Sequence, residues 1–317
     1  MPRSNACSDP DAVCFVQAEK DDEVEVPPWQ PPLWDSESDI AALCRRVQFE
    51  ASESDYNWGQ LCDLLHQAFQ DEDNADLQEL LQLLGEFERV VRLRLDNDGG
   101  IAANCFWRLS SPVMVLSAAA ERPGMGLNPE QQQLFEECLA AGSMQRLDDA
   151  THMKQINCIV RGLLTSFSLS SSLQEQQQVV TQLQPLLGKT LQLLSSSTSG
   201  SYISTVQHLQ SILSAVAAIN LQARETAAAA NFVRDWSNAL LLYYALELAN
   251  AFTWRLLKSG LSQSDKAACA VQVLAACVTL RVHSAALVDA MKQLHAEPSV
   301  IDSMTLRQVE DLVEQAV

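Results

Sequence analysis

Histidine and cysteine are the residues of this sequence best suited to metal binding and acid–base chemistry, and their spacing argues against both. The zinc-protease pattern HExxH does not occur. Cys62 and His66 are four residues apart and would share a helix face, but a zinc site needs at least three ligands. The remaining histidines lie in predicted helices or at their edges, and none completes such a set; they are His152, His208, His283 and His295. We therefore predict no metal site.

Motifs that bind nucleotides or activate a nucleophile are also missing. Gly124-Met125-Gly126 is an isolated turn without the lysine of a phosphate-binding loop and without a preceding strand. The GxSxG pattern of serine hydrolases does not occur, and the serine-rich stretches 168–172 and 195–201 have no ordered histidine and aspartate beside them. We predict a protein that is not an enzyme, with no catalytic residue and no cofactor.

Cysteine usage and hydropathy bear on the compartment. The nine cysteines contain no CxxC pair, and Cys269 and Cys277 lie among alanine and valine, as is typical of reduced, packed thiols in an intracellular protein. No signal peptide is recognisable, and the acidic residues 19–25 are unlike an arginine-rich transit peptide. Glu247 interrupts the most apolar stretch, 239–249, so we predict a buried core helix there and no membrane span. The sequence predicts a soluble intracellular protein of undetermined compartment.

The net charge of −19 is confined to one half of the chain. Residues 1–150 contain 29 acidic and 10 basic side chains, whereas residues 151–317 contain 11 of each. An acidic surface repels phosphate backbones and anionic lipid. The first half is therefore suited to a basic protein surface, or its charge serves solubility alone.

Residues 1–38 combine this acidity with proline, which favours an extended, disordered tail. Trp29 and Trp34 stand among four prolines and are candidate partner-binding residues. They could dock into a groove of another protein or fold back onto the helices of this chain. The charge division predicts two further parts, an acidic helical module at 39–145 and a neutral helical-repeat module at 146–317.

Local sequence signals favour helices almost everywhere. Glycine and proline number only 11 each, and 47% of the residues are apolar, so we predict an all-α protein with a sizeable core. Asn57 is the expected cap of a helix with an apolar stripe from Trp58 to Phe69. Asn128-Pro129-Glu130 is a strong start signal for another helix, which Gly142 is expected to end. A helix from 76 to 95 is expected to bury Leu77, Leu80, Leu81, Leu84, Phe87 and Val91.

Three segments of the second half align without gaps on Phe167, Ile219 and Leu280. Apolar residues recur at each of these anchors and seven, four and three positions before it, which is one face of a helix. The same stripe occurs at Leu61, Leu64, Leu65 and Ala68, and again at Val309, Leu312, Val313 and Ala316. The recurrence predicts helical hairpins in a degenerate α-solenoid, although a single helical bundle satisfies the same pattern.

These segments carry a resemblance to a known family. Residues 270–291 and 304–316, together with Asn57-Trp58 and the ten residues that follow, look like the helical repeats that precede the RAP domain in FAST-kinase-like and octotricopeptide organellar RNA factors. The resemblance implies stacked helical repeats and an organellar, RNA-binding role.

Two functions from different classes follow. The first is a non-enzymatic helical-repeat scaffold or adaptor that binds another protein, because stacked hairpins present an extended surface. The second is the organellar RNA-processing or ribosome-associated factor that the resemblance implies, although the negative net charge disfavours binding to RNA or to a membrane. This alternative expects a continuous basic stripe, which would consist of Arg161, Arg224, Arg255, Lys258 and Arg281. The oligomeric state is left open.

Overall fold

A computed structural model describes residues 55–71, 76–97, 100, 106–170, 172–196, 202–226 and 239–295. Within these ranges the chain forms ten α-helices and no strand, so the all-α prediction is confirmed. All of them belong to one compact unit. The helices are α1 (Asp55–Gln70), α2 (Leu77–Asn97), α3 (Phe106–Glu121), α4 (Pro129–Ala140), α5 (Met153–Leu169), α6 (Leu173–Ser196), α7 (Tyr202–Thr226), α8 (Ala239–Lys258), α9 (Gln263–Leu280) and α10 (Ala285–His295).

The helices are arranged in two layers. The odd-numbered helices α1, α3, α5, α7 and α9 form the first layer, in which each packs against the next. Each even-numbered helix from α4 to α10 packs against the helix before it and belongs to the second layer. Helix α2 contacts α1 through the stacked rings of Phe87 and Trp58, whose centres are 5.6 Å apart. Neighbours in space are thus neighbours in sequence, which is the connectivity of an α-solenoid.

The two helices of a hairpin run antiparallel. In the pair α7 and α8, the Tyr202 ring in the first turn of α7 lies 5.9 Å from the Trp254 ring near the end of α8. The prediction of helical hairpins is therefore confirmed.

The repeats found in the sequence correspond to equivalent helices of the first layer. The three aligned segments are α5, α7 and α9, and their stripe side chains are buried except Leu164, which is half-buried. The copy that ends at Ala68 lies in α1. The copy at 309–316 lies outside the described residues.

One copy of the stripe was missed in the sequence. Helix α3 has Leu109, Pro112, Val113 and Leu116 at the same four positions, all buried. The proline and the neighbouring serines hid the pattern, although residues 106–121 form a single helix. With α3 included, every helix of the first layer carries the stripe.

The predicted start of α4 is confirmed, and the α-helix ends at Ala140, two residues before the predicted end at Gly142. Asn128 caps the helix, and its side chain and that of Gln131 each accept a hydrogen bond from the other's backbone N–H. Gly142 does not reverse the chain, because the backbone continues as a π-helical turn, Ala141–Gln145. Gly142 is buried, and a Cβ atom there would lie 2.8 Å from Cδ1 of Ile159. Glycine is required here because the neighbouring side chain packs closely against the backbone, and not because the chain reverses direction.

Two details of the first hairpin also differ from expectation. Helix α1 begins at Asp55, so Asn57 lies inside its first turn and does not precede it. In α2, Leu77 and Leu81 are 38% and 46% exposed, because the buried stripe runs instead through Leu80, Leu83, Leu84, Phe87, Val90 and Val91. A helix with leucine on most sides does not reveal from its sequence which side is inward.

Residues on both sides of the predicted boundary at 145 pack together. The boundary coincides with the end of the π-helical turn, and α3 packs directly against α5 across it. The division into an acidic and a neutral module stays a prediction. The tail, 1–38, and residues 39–54 lie outside the described residues.

Two helix-interior glycines should respond in opposite ways to a methyl group. We expect Gly162→Ala to lower the free energy of unfolding by about 1–3 kcal/mol, because the new Cβ would overlap Cγ1 of Val113 and lie 3.1 Å from Cδ1 of Leu139. Gly85→Ala should raise it by about 0.5–1 kcal/mol, since this exposed glycine in α2 has no neighbour within 4 Å and alanine favours helix. Urea unfolding followed by circular dichroism measures both. Equal stability of the two variants would contradict the close approach of α3 and α5.

Candidate protein-binding surface

Helix α8, which was predicted to be a buried core helix, contributes one side to the core and exposes part of the other. Leu241, Ala245, Leu248, Phe252 and Leu256 face the core. The opposite side is also apolar but exposed: Leu240 is 39% exposed, Tyr243 53%, Trp254 47% and Leu257 46%. These four side chains, called here the α8 stripe, recur at intervals that place them on one face of the helix. The stripe is about 25 Å long at 1.5 Å per residue.

Cations surround Trp254 at one end of the stripe. Nζ of Lys258 lies 3.9 Å from the centre of the indole ring, and Cζ of Arg255 lies 5.5 Å from it. Both distances are within the range of cation–π attraction. The Arg255 guanidinium also donates a hydrogen bond of 3.0 Å to the carbonyl oxygen of Leu194 near the end of α6. The positive charge is therefore fixed beside an exposed aromatic ring.

The exposed surface extends from α8 to the start of α7. Tyr202 contacts Trp254 edge-on and is 42% exposed, and the adjacent Ile203 is 37% exposed. At the other end of α8, the rings of Tyr243 and Tyr244 are 5.9 Å apart, and Tyr244 packs on Gly188 of α6. Half-buried Glu247 lies on the same side, between the two ends of the stripe. This surface offers apolar and aromatic contact with a cationic end, and no acid–base pair.

The five cations of the RNA hypothesis lie in three places. Arg161 of α5 pairs with Glu121 at 3.5 Å. Arg224 and Arg281 lie at the ends of α7 and α9, and burial, together with the charge of Arg281, lowers the pKa of Arg224. Arg255 and Lys258 lie at the end of α8, in the other layer and at the opposite edge, because α7 and α8 are antiparallel. The structure brings together Arg224 with Arg281 and Arg255 with Lys258, and it does not place all five on one face.

The predicted partner-binding residues Trp29 and Trp34 lie outside the described residues. Their role stays a prediction.

A charged cluster connects three helices of the first layer. Nζ of Lys154 in α5 lies 2.6 Å from the carboxylate of Asp63 in α1, although α3 lies between these two helices in the first layer. His66 of α1 and His208 of α7 border the cluster, and burial is the main reason that the pKa of each is lowered. Thr165 donates a hydrogen bond of 2.6 Å to Glu121, the partner of Arg161. Each of these charges has an opposite charge nearby, so the cluster serves to hold the helices of this layer together.

Four of the five described cysteines are buried. Cys62, Cys138, Cys158 and Cys277 are buried and free, and Cys269 is half-buried. Burial raises the pKa of the Cys138, Cys158 and Cys277 thiols to about 12. A nucleophilic cysteine needs a thiolate, so these three are not suited to that chemistry.

Metal binding and membrane crossing find no support in the part of the chain that the structure describes. It contains no group of three or more histidine, cysteine, aspartate or glutamate residues that could hold a metal ion. In the same ranges, none of the helices combines the length and the apolar character that a bilayer span requires.

Comparison with known proteins adds no relative. No family model matches the chain, and neither the curated proteins nor the solved structures contain a significant match. The resemblance to FAST-kinase-like and octotricopeptide factors therefore stays a prediction.

The α8 stripe could have been noticed in the sequence. Residues 239–258 carry apolar side chains on all sides of the helix, a pattern expected only when the whole helix is covered. The sequence does not reveal that no other helix covers one side of α8 among the described residues.

The two partly buried histidines predict a pH dependence of stability. Their pKa values lie below the ordinary 6.5, so the folded protein binds fewer protons than the unfolded chain once the pH falls through that value. We therefore expect the free energy of unfolding to fall between about pH 7.5 and pH 5.5. Urea titrations should show a shallower pH slope for a His66→Gln, His208→Gln double variant. Exposed His283→Gln is the control, and a double variant with the wild-type slope would refute the prediction.

Proposed function

We propose that this protein is a non-enzymatic helical-repeat scaffold that binds another protein through the α8 stripe. The observation that carries the proposal is the set of four large apolar side chains that α8 exposes on one face, Leu240 and Tyr243 near its start and Trp254 and Leu257 near its end. Soluble proteins rarely leave such a stripe uncovered, because each exposed apolar side chain loses the free energy of burial. Single exposed leucines elsewhere need no such explanation.

The geometry favours an amphipathic helix as the partner element. A straight stripe about 25 Å long matches the apolar side of a helix of about five turns. Arg255 and Lys258 lie at one end only, so the partner helix should carry aspartate or glutamate at the end that meets them. The interaction would combine apolar burial along the stripe with a charge contact that sets the direction of the bound helix.

Two features favour a protein over a lipid or RNA surface. Glu247 lies within the stripe, and a carboxylate on that side opposes insertion into anionic lipid. Arg161 pairs with Glu121, and the five cations of the RNA hypothesis do not lie on one face, so they form no continuous basic stripe for RNA.

Cross-linking from the stripe tests the proposal. A photo-reactive phenylalanine analogue at position 243, which is 53% exposed, should capture one defined protein in cells. Binding of that purified partner to the full-length chain is then measured by calorimetry. Leu257→Asp should weaken it about tenfold or more, because a buried apolar contact becomes a desolvated charge. Leu221→Asp is the matched control, since this leucine is 49% exposed, also near a helix end, but on the first layer.

Three results would overturn the proposal. Equal loss of binding in the two leucine variants would place the partner elsewhere. Salt-sensitive RNA binding by the full-length chain that Leu257→Asp leaves intact, with no protein captured, would favour the RNA alternative. Co-flotation with vesicles containing phosphatidylserine, abolished by Leu257→Asp, would make the stripe a lipid-binding surface.

A further inference from the structure

A groove opens in the second layer between α4 and α6, away from the α8 stripe. Its volume is about 310 Å³, at the lower end of the range for ligand pockets. The floor of the groove is apolar. It is formed by buried side chains, Phe135 and Leu139 of α4, Leu163 of α5 and Val179 of α6. An apolar surface of this kind can accept the aliphatic part of a long side chain.

The groove exists because α4 and α6 do not pack closely along their length. The turn that follows α4 continues as the π-helical segment Ala141–Gln145, which contacts α6. Within it, Ser143 donates a buried hydrogen bond of 2.8 Å to the side-chain oxygen of Gln182, and Gln182 lines the groove. This bond holds the two elements together at one end and leaves the remainder open.

The ionisable side chains of the rim have one sign of charge. Glu136 of α4 and Glu175 of α6 stand on opposite walls. Ser170, which follows the last residue of α5, also lines the groove. Among the described residues that line the groove, none is basic. Exposed Leu169, 49% accessible, adds an apolar position at the mouth.

We propose that this groove binds the arginine or lysine side chain of an extended segment from a partner protein. The aliphatic stem lies against Phe135, Leu139 and Val179, and the charged end lies between Glu136 and Glu175. Long cationic side chains combine an apolar stem with a charged head, which is the combination that this groove accommodates. Carboxylates on two walls supply the charge-assisted hydrogen bonds. This site does not depend on the α8 stripe, and its test does not involve that surface.

Neighbouring glutamates of α4 provide a matched pair of variants. Glu136 accepts a hydrogen bond of 2.9 Å from Gln132, and Glu137 accepts one of 2.8 Å from Gln133. Both are exposed and lie four residues after their donor, but only Glu136 lines the groove. Glu136→Gln and Glu137→Gln thus remove the same charge from the same helix at adjacent positions.

The test is a nuclear magnetic resonance titration of the full-length protein labelled at leucine and valine methyl groups. The probe is N-acetyl-arginine amide, and the neutral, nearly isosteric control is N-acetyl-citrulline amide. We expect saturable shifts at Leu139, Leu163 and Val179 with the arginine probe only. Glu136→Gln should weaken the interaction about threefold, and combination with Glu175→Gln about tenfold, because each carboxylate is partly solvated. Glu137→Gln should leave the affinity unchanged.

Three outcomes would overturn the proposal. They are the absence of saturable shifts at these methyl groups, equal binding of the citrulline probe, and equal weakening by Glu136→Gln and Glu137→Gln. Any of these leaves the α8 stripe and the scaffold function untouched. Conversely, loss of partner binding in Leu257→Asp says nothing about this groove, so the two proposals fail separately.

Discussion

Burial of the first-layer helices on several sides is the constraint on which the rest of the structure depends. Helix α5 packs against α3 and α7 within its layer and against α6 in the other. This helix is therefore buried on two opposite sides. Val160 and Phe167 of the stripe are buried on one side, and Cys158, Gly162 and Thr165 are buried on the other. Small residues there let neighbouring helices approach, and interiors at crystal-like density leave no room for a larger side chain at Gly162.

Polar groups in this layer are tolerated because they join adjacent helices. The Asn220 amide donates a hydrogen bond of 3.1 Å to the Thr279 carbonyl, which connects α7 with α9. Gln210 and Gln272 connect the same two helices through their side-chain amides. Such bonds contribute little net stability, but an unpaired buried group would cost more, so they favour one register of neighbouring helices over another.

The second layer is less uniform than the first. Helix α8 packs against α6, α7, α9 and α10, whereas α4 and α6 leave a groove between them. The α8 stripe and the groove are of opposite character: one is apolar with cations at its end, and the other is lined by carboxylates. Both proposed binding surfaces thus involve the second layer.

The sequence by itself determined the helical content, the start of α4 at Asn128 and the stripe shared by α5, α7 and α9, since these depend on contacts within one or two turns of a helix. Only the tertiary structure decided that Leu81 and Leu257 face outward, that Gly142 is a packing position, and that Glu136 and Glu175 line one groove. Which side of an all-apolar helix is covered depends on the helices beside it. Those neighbours are brought together by long-range packing, and a local sequence pattern carries no record of it.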